Sequence, residues 1–349
     1  MSVKSIEISN VMAFQYNDKN HFKMNFTDGI NVLIGENGVG KTTVLKMIYT
    51  AAQASIQSTD VGNPTNLLHF FSNNITSSDN LKNETPCGNY CFYRISNGEY
   101  SFEYSLSHNA FSNLENWVGL DIQSVFIPST EMLSHSKGFL ALNQKYNMPF
   151  DRTQVDIIVN ASLPETRNVP KAMAGILDKI GKVINGTVIQ ENDTFYVVKN
   201  DGRKIDFSLE AEGLRKLGLL WKLIRNGLLE EGTVLLWDEP EANLNPELYP
   251  LVADILLELQ KNGVQIFAAT HSYNFAKYLE IRRTEKEQVL FHNLYKGTSG
   301  IPTEWKKAFP EINNRNDDIY STSAYKMEDL SPNHIMIADL KLLDEVYEQ

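Results

Sequence analysis

The chain has 349 residues, 42% hydrophobic and 21% charged, an ordinary globular balance that supports a sizeable buried core, alone or with an insertion. No run of eighteen apolar residues occurs and the opening MSVKSIEISN lacks the apolar stretch of a signal peptide, so a cytoplasmic protein without a membrane partner is expected. The net charge of −11 disfavours non-specific attraction to phosphate backbones without excluding a local basic groove, and Cys87 and Cys91 are too few for a disulfide framework or a zinc site.

In chain order, the alternation over Val3 to Ile8 and over Phe22 to Phe26 predicts two strands. Ile30 to Ile34 is a short continuous apolar run that suits a buried strand, with a helix expected from Lys41 to Ala54. Residues 56–88, rich in Ser, Thr, Asn and Asp, read as a polar segment. Alternating aromatics around Asn97-Gly98 predict a hairpin, and Gln123 to Ile127 a strand ended by Pro128. Residues 129–165 read as irregular, and 168–206 as a helix followed by short strands, with turns at Asn185-Gly186 and Asp201-Gly202. A βαβ rhythm then follows: a helix over Glu212 to Asn226, a strand over Thr233 to Trp237, a helix over Pro246 to Lys261 and a strand over Val264 to Ala269. Such alternation implies an α/β fold with a parallel core sheet, here with an antiparallel N-terminal β part and a helical or mixed insertion.

Gly35 to Thr42 reads GENGVGKT and satisfies G-x-x-x-x-G-K-[ST] in full. Glycines in such a loop let backbone N–H groups turn inward onto phosphates, and the helix behind presents its N-terminus to the same anion. The expected ATP cradle comprises Gly35, Asn37, Gly38, Gly40, Lys41, Thr42 and Thr43. Lys41 is expected to reach the β- and γ-phosphates and the Thr42 hydroxyl to ligate Mg²⁺. The strand Val234-Leu-Leu-Trp237 ends in Asp238-Glu239. Asp238 suits an Mg²⁺ ligand, direct or through water, and Glu239 a general base for the attacking water. His271 follows the next strand, at the carboxyl edge where ligands bind in open α/β sheets, and suits a γ-phosphate sensor. Phe14 and Tyr16 are candidates to stack on adenine, with a core role as the alternative.

Taken in this order, these residues resemble the ABC-type ATPase superfamily. The soluble branches are the nearer likeness: SMC and RecF-like repair ATPases and the ATPase domains of overcoming-lysogenisation-defect nucleases. The resemblance covers residues 1–55 and about 205–275. It implies one ATPase domain over 1–349, with an N-lobe (1–55), a variable insertion (56–205), a C-lobe (206–290) and a C-terminal extension (291–349). Glu210-Ala-Glu-Gly-Leu-Arg-Lys216 looks like the family's signature, which caps the γ-phosphate of a partner copy in trans. Ala211 replaces the usual serine, leaving Gly213 and the helix N-terminus as donors. The alternative is an amphipathic helix with Arg215 and Lys216 on its wet face. Pro240 to Pro246 is similar to the D-loop, with Asn245 in place of the frequent aspartate or as a helix cap. For the family's Q-loop the candidates are Gln123 and Gln144, with Pro128 to Leu133 as the region.

The resemblance further implies ATP-driven pairing into a homodimer or higher oligomer. No sustained heptads separate the lobes, and fewer than eighty residues follow His271, too few for a nuclease domain. The expected role is a regulatory ATPase that licenses a separately encoded effector in bacterial anti-phage defence. A RecF-like clamp on DNA is the alternative, so nucleic acid stays open as a partner; a transporter subunit ranks behind both. Met336, Leu340, Leu343 and Tyr347 share one helical face, expected either to pack on the core or to meet a partner.

Overall fold

A computed structural model describes residues 2–15, 21–56, 64–75, 77–83, 91–146, 148–297 and 318–347. Tyr16 and Cys87 lie outside them; Cys91 is a buried free thiol. The chain begins with β1 (Ser5–Ser9) and β2 (Phe22–Asn25), then β3 (Ile30–Gly35) and α1 (Lys41–Ala54). After the short α2 (Pro64–Leu68) come β4 (Phe92–Ser96), β5 (Ser101–Ser105) and β6 (Ala110–Ser112). The short α3 (Leu114–Trp117) leads to β7 (Ser124–Ile127).

Residues 129–165, expected to be irregular, hold α4 (Phe139–Tyr146) and α5 (Arg152–Ala161). A capping box opens α5: Asp151 accepts from the N–H groups of Thr153 and Gln154, and the Gln154 side chain returns to the Asp151 N–H. Next come α6 (Lys171–Ile184), β8 (Gly186–Glu191), β9 (Thr194–Lys199) and β10 (Lys204–Asp206). Asn185 ends α6 in the left-handed conformation that turns the chain into β8. The C-terminal half adds α7 (Glu212–Arg225), β11 (Val234–Asp238), α8 (Tyr249–Lys261), β12 (Gln265–Thr270) and α9 (Tyr273–Arg282). It closes with β13 (Val289–Lys296), β14 (Ile319–Ala324) and α10 (His334–Tyr347).

The six-stranded central sheet has the order β14-β13-β3-β12-β11-β7. Its five neighbours from β13 to β7 are parallel, and only β14 runs antiparallel. Both faces are covered, which explains the continuous apolar runs. Val32 and Ile34 of β3 and Leu235 and Trp237 of β11 face the core under α5 to α9, whereas Leu33, Val234 and Leu236 face the other core. That second core lies between the central sheet, α1 and an antiparallel sheet of order β2-β1-β4-β5-β6.

Residues 56–205 therefore join both sheets: β4 pairs with β1 through Ile6↔Ile95, and β7 pairs with β11 through Leu236↔Phe126. Residues 291–349 likewise supply most of β13, paired with β3, and all of β14. By contrast α10 has no buried residue; Leu340 is 50% exposed, Leu343 49% and Tyr347 85%. Of the face expected to pack on the core or to meet a partner, Met336 is half-buried, and Leu340, Leu343 and Tyr347 do not pack on the core. Among the described residues no helix is long and apolar enough to cross a membrane.

Candidate functional site

Parallel pairing decides where the site forms. Ile34 of β3 lies opposite Thr270 of β12, and Ala269 of β12 opposite Asp238 of β11, so three carboxyl ends finish at one level. The loop after β3, the acids ending β11 and His271 after β12 converge there, on the side that open α/β sheets use for ligands.

The loop from Gly35 to Gly40 needs its glycines. Gly40 has φ +89°, and a Cβ there would stand 2.7 Å from the Phe14 ring. Phe14 is fully buried, with its ring centroid 4.6 Å from that of Phe22. It is thus a floor for the loop and not an adenine platform. Gly35, with φ +144°, has no room for a Cβ beside the Leu294 carbonyl. Asn37 and Gly38 are exposed on the loop's outer turn.

Lys41 opens α1 and is only 5% exposed. Its ammonium donates to the Gly35 and Glu36 carbonyls at 2.8 and 2.9 Å and lies 3.3 Å from His271 Nδ1. Burial pulls the Lys41 pKa down to about 8 against the attraction of Asp238, Glu239, Glu241 and Glu36. His271 is also lowered, by burial and then by the Lys41 charge. On its other side the ring places Nε2 3.6 Å from Glu239 Oε1.

The Thr42 hydroxyl donates to Asp238 at 2.9 and 3.1 Å, across 196 residues of sequence. Burial lifts the Asp238 carboxyl to about 6. A buried carboxylate beside a hydroxyl is a hard oxygen pair that gains from a divalent cation. Among the described residues no group of three or more His, Cys, Asp and Glu is disposed to hold a metal. The Thr42 hydroxyl and the Asp238 carboxylate fit Mg²⁺, which takes one or two protein oxygens and completes its shell with phosphate and water. Thr43 turns to the other side, its hydroxyl 3.7 Å from Met12 Sδ. Met12 and Ala13 wall a cleft of about 280 Å³ with Gly38, Gly40, Lys41, Thr42, Thr43 and His271. The strand pattern of the N-terminus gave no sign that Met12 and Ala13 border the loop.

Glu241 is a third residue missed from the sequence. Its Oε1 accepts the Thr270 hydroxyl at 2.6 Å and the His271 N–H at 3.1 Å, fixing the main chain that carries the histidine. The remaining expected residues gather elsewhere. Gly213 lies in the first turn of α7, where a Cβ would come within 2.7 Å of the Asn243 carbonyl. Asn245 accepts from the Glu247 N–H at 3.2 Å and caps the turn at Pro246–Leu248. Arg215 and Lys216 are not on a wet face: Lys216 is 2% exposed and Arg215 pairs with buried Glu131 at 3.0 Å. Gln123 precedes β7, at the amino end of the sheet and so away from the edge where the site forms, and Gln144 is exposed on α4. In the region after β7, Glu131 accepts the N–H groups of Leu133 and Ser134.

Two family models match adjoining parts of the chain. One, described as "AAA domain", covers residues 5–147, and one described as "AAA domain, putative AbiEii toxin, Type IV TA system" covers 136–276. The chain is similar to the L-cystine import ATP-binding protein TcyN of Bacillus subtilis, 30% identical over 156 residues, which are 39% of this chain and 58% of TcyN. It is also similar to the DNA replication and repair protein RecF of Clostridium botulinum, 40% identical over 52 residues, 15% of this chain and 14% of RecF. The chain thus spans less than two thirds of either relative. A solved SMC head domain with an extended coiled coil, bound to the C-terminal domain of ScpA from Pyrococcus furiosus, has the same fold at 10% identity. That likeness covers 99% of both chains with a TM-score of 0.51. The phosphate loop and the two family models, which together run from residue 5 to 276, make this chain similar to AAA-type P-loop ATPase domains, and its fold is that of an SMC head.

Proposed function

We propose that the chain binds ATP with Mg²⁺ and hydrolyses it. One observation carries this reading: Lys41, Thr42, Asp238, Glu239 and His271 meet at one edge of the sheet, with Thr42 hydrogen-bonded to Asp238 at 2.9 Å. Lys41 and the loop N–H groups bind the phosphates. Thr42 and Asp238 would hold Mg²⁺, which would supply positive charge to the phosphate oxygens. Glu239 takes a proton from the water attacking the γ-phosphorus, and the bond to the β-phosphate oxygen breaks to leave ADP and phosphate. His271 hydrogen-bonds the γ-phosphate through its ring and registers its departure.

Two copies pair head to tail, each capping the other's nucleotide with the N-terminus of α7 around Gly213 and with the loop bearing Asn245. Ala211 offers no hydroxyl there, so backbone N–H groups make the contact. Loss of the γ-phosphate then loosens the pair. In this reading the chain is the regulatory subunit of a separately encoded effector in bacterial anti-phage defence; a family description that names a toxin of a type IV system supports it.

The test is Glu239→Gln. With ATP and Mg²⁺ the variant is expected to elute as a dimer or larger and to retain the effector in a pull-down; a monomer under those conditions overturns the pairing. Lys41→Ala is expected to abolish nucleotide binding in equilibrium dialysis. The likeness to RecF favours a second reading, a clamp on DNA, identified by ATP turnover that DNA stimulates and salt suppresses.

A further inference from the structure

Glu239 holds its main chain in the left-handed region, φ +51°, which a glutamate adopts only where its surroundings enforce it. Three contacts do so. The Glu239 N–H donates to the Ala269 carbonyl of β12 at 2.8 Å. The Glu239 carbonyl accepts twice, from the Ala242 N–H at 3.1 Å and from the Lys216 ammonium at 3.0 Å. Lys216 comes from the second turn of α7 and is 2% exposed. A buried ammonium is costly unless it is paired, and Glu241, Glu239, Glu212 and Asp238 surround this one with negative charge. The same helix grips the far end of the loop after β11. Glu212 accepts from Asn243 Nδ2 at 2.7 Å, and Gly213 leaves the Asn243 carbonyl room to approach.

The geometry points to Lys216 as the positioning residue for Glu239, holding its carbonyl and so aiming its carboxylate, and joining the N-terminus of α7 to the hydrolytic base. A displacement of that N-terminus by a partner's nucleotide reaches Glu239 through Lys216, which makes turnover responsive to pairing. The inference rests on the hydrolysis reading above.

The experiment uses the full chain and measures ATP turnover and nucleotide affinity for the wild type, Lys216→Met, Lys216→Arg, Glu239→Gln and the Glu239→Gln/Lys216→Met double variant. Lys216→Met is expected to lower kcat on the order of 100-fold, because small misplacements of a reacting group carry that cost. Nucleotide affinity is expected to stay within about threefold, since ground-state binding does not use the base. Lys216→Arg, which keeps a cationic donor, is expected to restore most of kcat, and Lys216→Met to add no loss in the Glu239→Gln background. Should Lys216→Met not fold, Lys216→Gln takes its place with the same expected loss. Wild-type kcat in the Lys216→Met or Lys216→Gln variant, failure of Lys216→Arg to rescue, or an undiminished loss in the Glu239→Gln background overturns the inference. A wild-type chain that binds ATP without turning it over instead overturns the hydrolysis reading, and this inference with it.

Discussion

His292 shows how burial at one residue sets a pH dependence for the whole chain. The ring is fully buried on β13, its Nδ1 accepting from Ser323 Oγ at 2.8 Å and its Nε2 donating to Asn31 Oδ1 at 3.2 Å. Burial depresses its pKa from 6.5 to about 3. The folded state therefore refuses a proton that the unfolded chain accepts below about 6.5. The stability is fully present above that value and is lost as pH falls towards 3. Urea unfolding is expected to show a slope between pH 6.5 and 4 that is shallower in His292→Gln, by up to about 1.4 kcal/mol per pH unit. Equal slopes for the two proteins would show that this ring does not govern acid stability. At the nucleotide edge the same burial acts with opposite sign on opposite charges, lowering Lys41 and raising Asp238. Both groups are thereby poised for ligands that bring the missing charge.

Among the elements, α5 shows what a local signal is worth. Asp151 caps α5 and also pairs with Lys46 of α1 at 2.7 Å, both side chains mostly buried. Tyr49 of α1 adds a hydrogen bond to Asp156 at 3.0 Å, so α5 braces the helix that carries the phosphate loop. Asp151→Ala removes the cap and the ion pair together and is expected to cost about 1–3 kcal/mol in chemical denaturation. A loss below about 0.5 kcal/mol, the scale of an ordinary surface change, would contradict that bracing. The capping box was legible as Asp151 followed three residues later by Gln154, ahead of Val155, Ile157 and Ile158. The prolines and polar residues around it masked the signal. In α7 the periodicity gave the helix but not its orientation. Lys216 is buried because the acids after β11 lie beneath it, and those acids are distant in sequence.

Over the whole molecule, α10 meets the core only at its first turn, through half-buried Ile335. Leu340, Leu342, Leu343, Val346 and Tyr347 are each about half exposed or more, an apolar surface that a helix on a globular domain ordinarily buries. Removing residues 337–349 is expected to leave the melting temperature within about 3 °C, because none of the described side chains lost, 337–347, is buried. Size-exclusion chromatography of the same variant reports whether that face joins copies. A large fall in melting temperature would place α10 in the core after all.

By itself the sequence determined the phosphate loop, the strand ending in Asp238-Glu239 and the alternating helices and strands of the C-terminal half. Each is written in contiguous residues, as glycine spacing, an apolar run or a helical period. Tertiary structure alone decided that β4 to β7 complete two sheets, that Met12 and Ala13 wall the cleft, and that Lys216 and Glu241 serve Glu239 and His271. The physical reason is that pairing register and the burial of charge depend on which distant segments meet, and no local pattern records that.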